Sequence, residues 1–339
     1  MSKIALAIHG GAGTILRSRM TPALEAEYRS GLQDALMAGW NILEKGGSSL
    51  DAVEAAVCSL EDFPLFNAGR GAVFTHEGEV ELDAAIMSGH DLKAGAVTFV
   101  KNIKNPVKLA RLVMERTEHV LLAGEGANQF AEQIGLETLP DEYFFTEHRW
   151  LQLQEAMAEG RVQLDHSGEE GVTDRTKAET RPVGSVFLAE NERSNIQNPK
   201  SLGTVGAVAC DANGHLAAAT STGGMTNKKF GRVGDTAIIG AGTYADETCA
   251  ISCTGHGEFF MLGITAYDVS ARMKYKGLNL EAAARETLER LTSIAGEGGL
   301  IAVDSIGNVT LPFNSEGMYR GFVKPDGEIS IEIYGSGRV

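Results

Sequence analysis

The chain has 339 residues, 43% of them apolar, a formal net charge of -15 at pH 7 and a pI near 5.0. Its length allows two domains or one large α/β domain with a sizeable core. So acidic a balance argues against nucleic acid and anionic membrane as partners, since both demand clustered Lys and Arg. The four cysteines, Cys58, Cys210, Cys249 and Cys253, make neither a disulfide framework nor a zinc set at their spacing, so reduced buried thiols are expected. None of the eight histidines stands at a ligand spacing such as H-x-x-x-H.

In chain order, residues 4–8 read as a buried strand running into His9-Gly10-Gly11-Ala12-Gly13. This apolar run is too brief for a signal segment, and no later one nears membrane-spanning length, so a cytoplasmic location is expected. His-Gly-Gly also occurs in the oxyanion loop of lipases, but the G-x-S-x-G elbow those enzymes need is missing. Thr21-Pro22 and Ser48-Ser49-Leu50-Asp51 are helix starts, each followed by apolar residues at helical spacing, and Lys45-Gly46-Gly47 ends the first helix. Residues 60–71 form a glycine-containing loop able to present backbone carbonyls to a hard cation; composition alone favours a plain structural turn. A hairpin is expected from residues 73–74 and 80–82, a strand over 94–100, a helix from Asn105-Pro106 to Arg116, a strand over 120–123 and a helix over 127–134.

Residues 165–202 are polar, charged and turn-rich without sustained periodicity, as in a flexible linker, with a short strand at 183–188. Beyond it come strand-turn-strand at 205–220, helices over 261–275 and 280–294, and a second strand-turn-strand at 300–312 with the same Asp-x-x-Gly turn. Strands and helices do not alternate strictly, which predicts antiparallel sheets with helix layers outside. Gly240-Ala241-Gly242-Thr243-Tyr244-Ala245 fits the dinucleotide fingerprint G-x-G-x-x-A, but residues 246–254 have strand rather than helix character, which tells against an NAD enzyme.

The chemistry centres on Gly203-Thr204. An internal threonine carries no base, whereas one at a chain's first position has its own in the free α-amine, whose pKa is about 7.7 to 8.0. Cutting the chain before Thr204 creates that arrangement, and Gly203 has the backbone freedom to expose its carbonyl to the hydroxyl. The same pair also suits the plain start of a buried strand.

Taken together, Ile8-His9-Gly10-Gly11-Ala12-Gly13, Asn67-Ala68-Gly69, Gly203-Thr204-Val205-Gly206-Ala207-Val208-Ala209, Thr220-Ser221-Thr222-Gly223-Gly224, Gly231-Arg232-Val233-Gly234-Asp235 and Thr254-Gly255-x-Gly257-Glu258 resemble the plant-type L-asparaginase / isoaspartyl aminopeptidase family of N-terminal nucleophile hydrolases. The resemblance implies an α+β fold, a four-layer αββα sandwich of two antiparallel sheets flanked by helices. It also implies autocleavage into an alpha subunit, 1–203, whose end (about 160–203) is the linker, and a beta subunit, 204–339. Two such αβ units would form the mature enzyme.

By motif, Thr204 matches the nucleophile, Thr222 the threonine that bonds it, and Asn67 the asparagine that holds the catalytic end. Thr254 and Gly255 match the oxyanion site, Arg232 the group for the substrate α-carboxylate, Asp235 that for the α-ammonium, and Gly257 a further ammonium contact. A structural sodium ion is implied on the carbonyls of Leu60, Glu61, Phe63, Phe66, Ala68 and Arg70, with no cofactor for catalysis. The implied substrates are β-aspartyl dipeptides and L-asparagine, which share one zwitterionic head. The competing readings are a glycosylasparaginase-like amidase, whose family places Asp before the nucleophile, and a binding protein that holds an amino acid without cleaving it.

Overall fold

The computed structural model describes residues 4–160, 162, 203–324 and 326–335. The expected linker beyond residue 162 and the strand at 183–188 lie outside the described residues. In the first half come β1 (Ala5–Gly13), α1 (Pro22–Glu44), α2 (Ser49–Asp62), β2 (Leu82–Ser88), β3 (Lys93–Val100), α3 (Pro106–Arg116), β4 (Leu121–Ala123), α4 (Gly124–Gln133), α5 (Asp141–Phe144) and α6 (Glu147–Ala158). In the second half come β5 (Val205–Cys210), β6 (Leu216–Thr222), β7 (Thr243–Ala245), β8 (Cys249–Gly255), α7 (Gly257–Gly263), α8 (Thr265–Lys276), α9 (Leu280–Ser293), β9 (Gly298–Asp304), β10 (Val309–Thr310), β11 (Gly317–Val323) and β12 (Ile329–Tyr334).

Local chemistry sets several boundaries. The Thr21 hydroxyl accepts from Leu24 N–H at the start of α1, with Pro22 at the first helical position. At α2, Ser48 and Asp51 close a capping pair: Ser48 Oγ accepts from Asp51 N–H and donates to Asp51 Oδ2. The two Asp-x-x-Gly turns share one construction. Asp211 Oδ1 accepts from the N–H groups of Asn213 and His215, Asp304 Oδ1 from those of Ile306 and Asn308, and Gly214 and Gly307 take φ of 82° and 87°.

An eight-stranded sheet runs β12-β11-β1-β5-β6-β2-β3-β4, and a four-stranded sheet runs β10-β9-β8-β7. Every pairing between strands is antiparallel except β3 with β4. The two sheets pack face to face, with Ala5, Ala7, Val208, Ala218, Ile301 and Val303 in the shared layer. Helices α1, α2 and α3 cover the outer face of the large sheet, and α8 and α9 cover that of the small one. The result is the expected αββα sandwich, with strands β5, β6 and β8 in the two middle layers.

Several elements differ from expectation. Residues 73–76 pair across to the 225–228 loop instead of folding on 80–82: Asn227 N–H donates to the Phe74 carbonyl and His76 N–H to that of Lys228. The hairpin partner of β2 is β3. The helix expected over 261–275 is broken at Ile264, which takes a left-handed conformation between α7 and α8. Finally, β11 and β12 complete the large sheet beside β1, where sequence reading placed no element.

Candidate active site

Thr204 directly precedes β5 and is buried, with 6% of its surface exposed. Its carbonyl accepts from His9 Nδ1 at 2.9 Å, and its hydroxyl lies 3.5 Å from that of Thr236, longer than an O–H···O bond of normal length. Gly203 is wedged between two neighbours. A methyl group at 203 would sit 2.5 Å from Thr254 Oγ1, and one at Gly11, where φ is +117°, would sit 2.7 Å from the Gly203 nitrogen. The 203–204 peptide therefore lies where only glycine fits on both sides. The strand reaches this approach through a register shift in β1 between His9 and Gly11, and at Gly10 a methyl would come within 2.4 Å of the Phe66 ring.

Thr254, the last residue but one of β8, is fully buried. Its Oγ1 accepts from Ala12 N–H at 3.3 Å, which leaves its own proton to donate toward an oxygen at the Gly203 position. Gly255 follows with φ of +147°, and a methyl there would strike the Glu297 carbonyl at 2.3 Å. Asn67 braces the other wall: Val73 N–H donates to its Oδ1, its Nδ2 donates to the Gly224 carbonyl at 2.8 Å, and Gly223 N–H donates to its own carbonyl. The Thr222 hydroxyl, at the end of β6, accepts from Gly224 N–H. Among the described hydrogen bonds, none joins Thr222 to Thr204; the hydroxyl contact described for Thr204 is with Thr236.

Arg232 and Asp235 meet at Gly257, the first residue of α7. A methyl there would lie 2.8 Å from Asp235 Oδ1 and 2.9 Å from Arg232 Nη2. Arg232 also forms a two-point ion pair with Glu258, both bonds at 2.9 Å, while Nη1 faces Gly234 and Gly224. Asp235 is buried, and its Oδ2 has no hydrogen-bond partner among the described residues. Burial raises its carboxyl to about 7, the Arg232 charge opposing. Burial likewise holds Cys253, beside Thr254, well above the ordinary thiol range, so this thiol is no competing nucleophile.

The loop expected to hold sodium packs its backbone carbonyls tightly against its own glycines. At Gly71 a methyl would stand 2.1 Å from the Phe66 carbonyl oxygen, and at Gly69 one would stand 2.5 Å from that of Glu61, so neither position has room for a side chain. Leu60, Phe63, Phe66 and Ala68 each accept one backbone hydrogen bond, which leaves each carbonyl a second lone pair. Arg149, fully buried on α6, braces the loop by donating to the Gly71 and Leu65 carbonyls. Among the described residues, no cluster of three His, Cys, Asp or Glu side chains could hold a metal, and no helix is long and apolar enough to cross a membrane. Gly240–Ala245 leads into β7 rather than into a helix, so the dinucleotide fingerprint has no helix terminus to present.

Sequence reading missed His9, Thr236 and Arg149. Thr236 was within reach, since it follows Asp235 directly.

A two-sheet αββα sandwich with a buried threonine opening a central strand behind a glycine is the scaffold of an N-terminal nucleophile hydrolase. The asparaginase family matches residues 2–333, and the chain belongs to that family. It is 49% identical over 324 residues to the isoaspartyl peptidase of Salmonella typhimurium, covering 95% of this chain and 96% of the relative. It is 48% identical over 324 residues to the isoaspartyl peptidase of Escherichia coli, covering 95% and 93%. To the plant-type L-asparaginase of Pyrococcus abyssi it is 43% identical over 330 residues, covering 95% and 96%.

Proposed function

We propose that this chain cuts itself between Gly203 and Thr204 and then hydrolyses β-aspartyl dipeptides and L-asparagine, releasing L-aspartate. The observation that carries the reading is the meeting of the Arg232 guanidinium and the Asp235 carboxyl at Gly257, a pair of opposite charges suited to one zwitterionic head. Arg232 takes the α-carboxylate and Asp235 the α-ammonium, which delivers the β-carbonyl to Thr204. The freed Thr204 amine accepts the hydroxyl proton as the oxygen attacks, and passes it to the departing amine or ammonia. Thr254 and Gly255 N–H meet the charge on the tetrahedral oxygen. The resulting β-aspartyl ester of Thr204 is then hydrolysed by water.

Cleavage yields pieces 1–203 and 204–339, and self-association as a pair of αβ units in the cytoplasm completes the reading. A sodium ion on the carbonyls of Leu60, Glu61, Phe63, Phe66, Ala68 and Arg70 would stiffen the loop that carries Asn67. Replacing sodium by choline at equal ionic strength should then lower the melting temperature, and Gly71→Ala should abolish that difference.

The decisive experiment is a denaturing gel combined with assays of ammonia from L-asparagine and leucine from β-Asp-Leu. Wild type should run as two fragments and release both products; Thr204→Ala should run as one band with neither activity. An intact wild-type chain with full turnover would overturn the reading, and binding of L-asparagine without turnover would favour an amino-acid-binding protein.

A further inference from the structure

Behind Thr204 lies a chain of hydrogen bonds that the proposed mechanism does not use. His9 Nδ1 is 2.9 Å from the Thr204 carbonyl, and His9 Nε2 is 2.8 Å from Ser252 Oγ. Ser252 Oγ is 2.8 Å from Thr220 Oγ1, and Thr243 Oγ1 is 2.6 Å from Thr220 Oγ1 and 3.2 Å from the Thr236 carbonyl. All four side chains are fully buried. They come from four strands, β1 and β6 of the large sheet and β7 and β8 of the small one. The chain leaves Thr204 at its carbonyl and ends at Thr243, whose one hydroxyl proton has two acceptors in reach, the Thr220 hydroxyl and the Thr236 carbonyl. Gly206 keeps the space open, since a methyl there would lie 2.0 Å from Ser252 Oγ and 2.6 Å from His9 Nε2.

Elementary donor rules assign the protons. A carbonyl only accepts, so Nδ1 carries the hydrogen toward Thr204 and Nε2 is the acceptor of a neutral ring. Ser252 then donates to Nε2, Thr220 donates to Ser252, and Thr243 donates to Thr220, its shorter contact. The direction is the same at every step. Burial supports the neutral ring, holding the imidazole down to about 3 against the Thr204 carbonyl bond.

We propose that His9, Ser252, Thr220 and Thr243 form a one-way hydrogen-bond relay that fixes the Thr204 backbone for nucleophilic attack, with His9 locked as the Nδ1-protonated tautomer. These are positioning residues, since none touches the reacting atoms. The proposal rests on Thr204 being the nucleophile. A nucleophile held at its carbonyl from behind keeps its hydroxyl and amine aimed at the substrate without blocking either.

Two measurements test it on the full chain. The first is a long-range proton–nitrogen correlation spectrum of protein labelled with 15N-histidine, in which the signals lost in His9→Asn identify His9. Nδ1 should be protonated and Nε2 unprotonated from about pH 5 to about pH 9, where an ordinary histidine titrates. A titrating His9, or one protonated at Nε2, would overturn the relay. The second is kinetics per cleaved chain, counted by mass spectrometry. Ser252→Ala and His9→Gln should each lower kcat by about tenfold with KM within about twofold, the scale of one lost positioning bond. His9→Asn, whose amide nitrogen can reach the Nδ1 position, should restore most of the loss relative to His9→Gln. Equal kcat in both His9 variants, or full kcat in Ser252→Ala, would overturn the relay. Should wild type turn over neither substrate while His9 shows the stated tautomer, the substrate reading falls and the proton order is supported.

Discussion

Asp235 shows how burial shapes the chemistry of a single residue. A carboxyl that keeps its proton to about pH 7 is neutral below that pH and offers an ammonium ion no charge. KM for L-asparagine should therefore rise as pH falls from 8 to about 6, and Asp235→Asn should flatten that dependence. The same shift sets the sign of the stability change with pH. The folded carboxyl titrates near 7 and its ordinary value is 3.8, so between those values the folded state holds the extra proton and raising the pH costs stability. L-Aspartate supplies the missing ammonium, so it should raise the melting temperature more at pH 8 than at pH 6; equal shifts would contradict the assignment.

At the scale of elements, the end of the sandwich around Asn67 is held by contacts between segments far apart in sequence. Asn67 joins the loop after α2 to the end of β6, and Arg149 reaches from α6 into the same loop. Arg149→Leu leaves the Gly71 and Leu65 carbonyls without these charged donors, at about 1–3 kcal/mol for an orphaned buried group. The urea midpoint should fall accordingly, and self-cleavage should slow because the loop also carries Asn67. An unchanged midpoint would show that water replaces the guanidinium. The capping residues Thr21 and Ser48 and the two Asp-x-x-Gly turns act within a few residues of themselves, which is why they are visible in the sequence. The break at Ile264 is not visible there, because it needs a bulky residue in the left-handed region that local preference disfavours.

For the whole molecule, strand order decides what cleavage can do. β1 lies between β11 and β5, and β2 pairs with β6, so the 1–203 and 204–339 pieces interleave in one sheet. Cutting before Thr204 frees an amine without freeing a domain. The two fragments should co-elute on gel filtration in native buffer and part only under denaturant, and either piece expressed alone should be insoluble. Separation in native buffer would refute this interleaving.

The sequence by itself determined the helix starts, the glycine-flanked threonine, the Arg-x-x-Asp pair and the family those motifs resemble, because each depends on neighbours a few positions away. Only the tertiary structure decided that His9, Thr220, Thr236, Thr243 and Ser252 gather around Thr204, that Arg149 braces the Asn67 loop, and that β11 and β12 complete the sheet beside β1. His9 and Ser252 are 243 positions apart and are joined by strand register across two packed sheets, a relation that local periodicity does not carry.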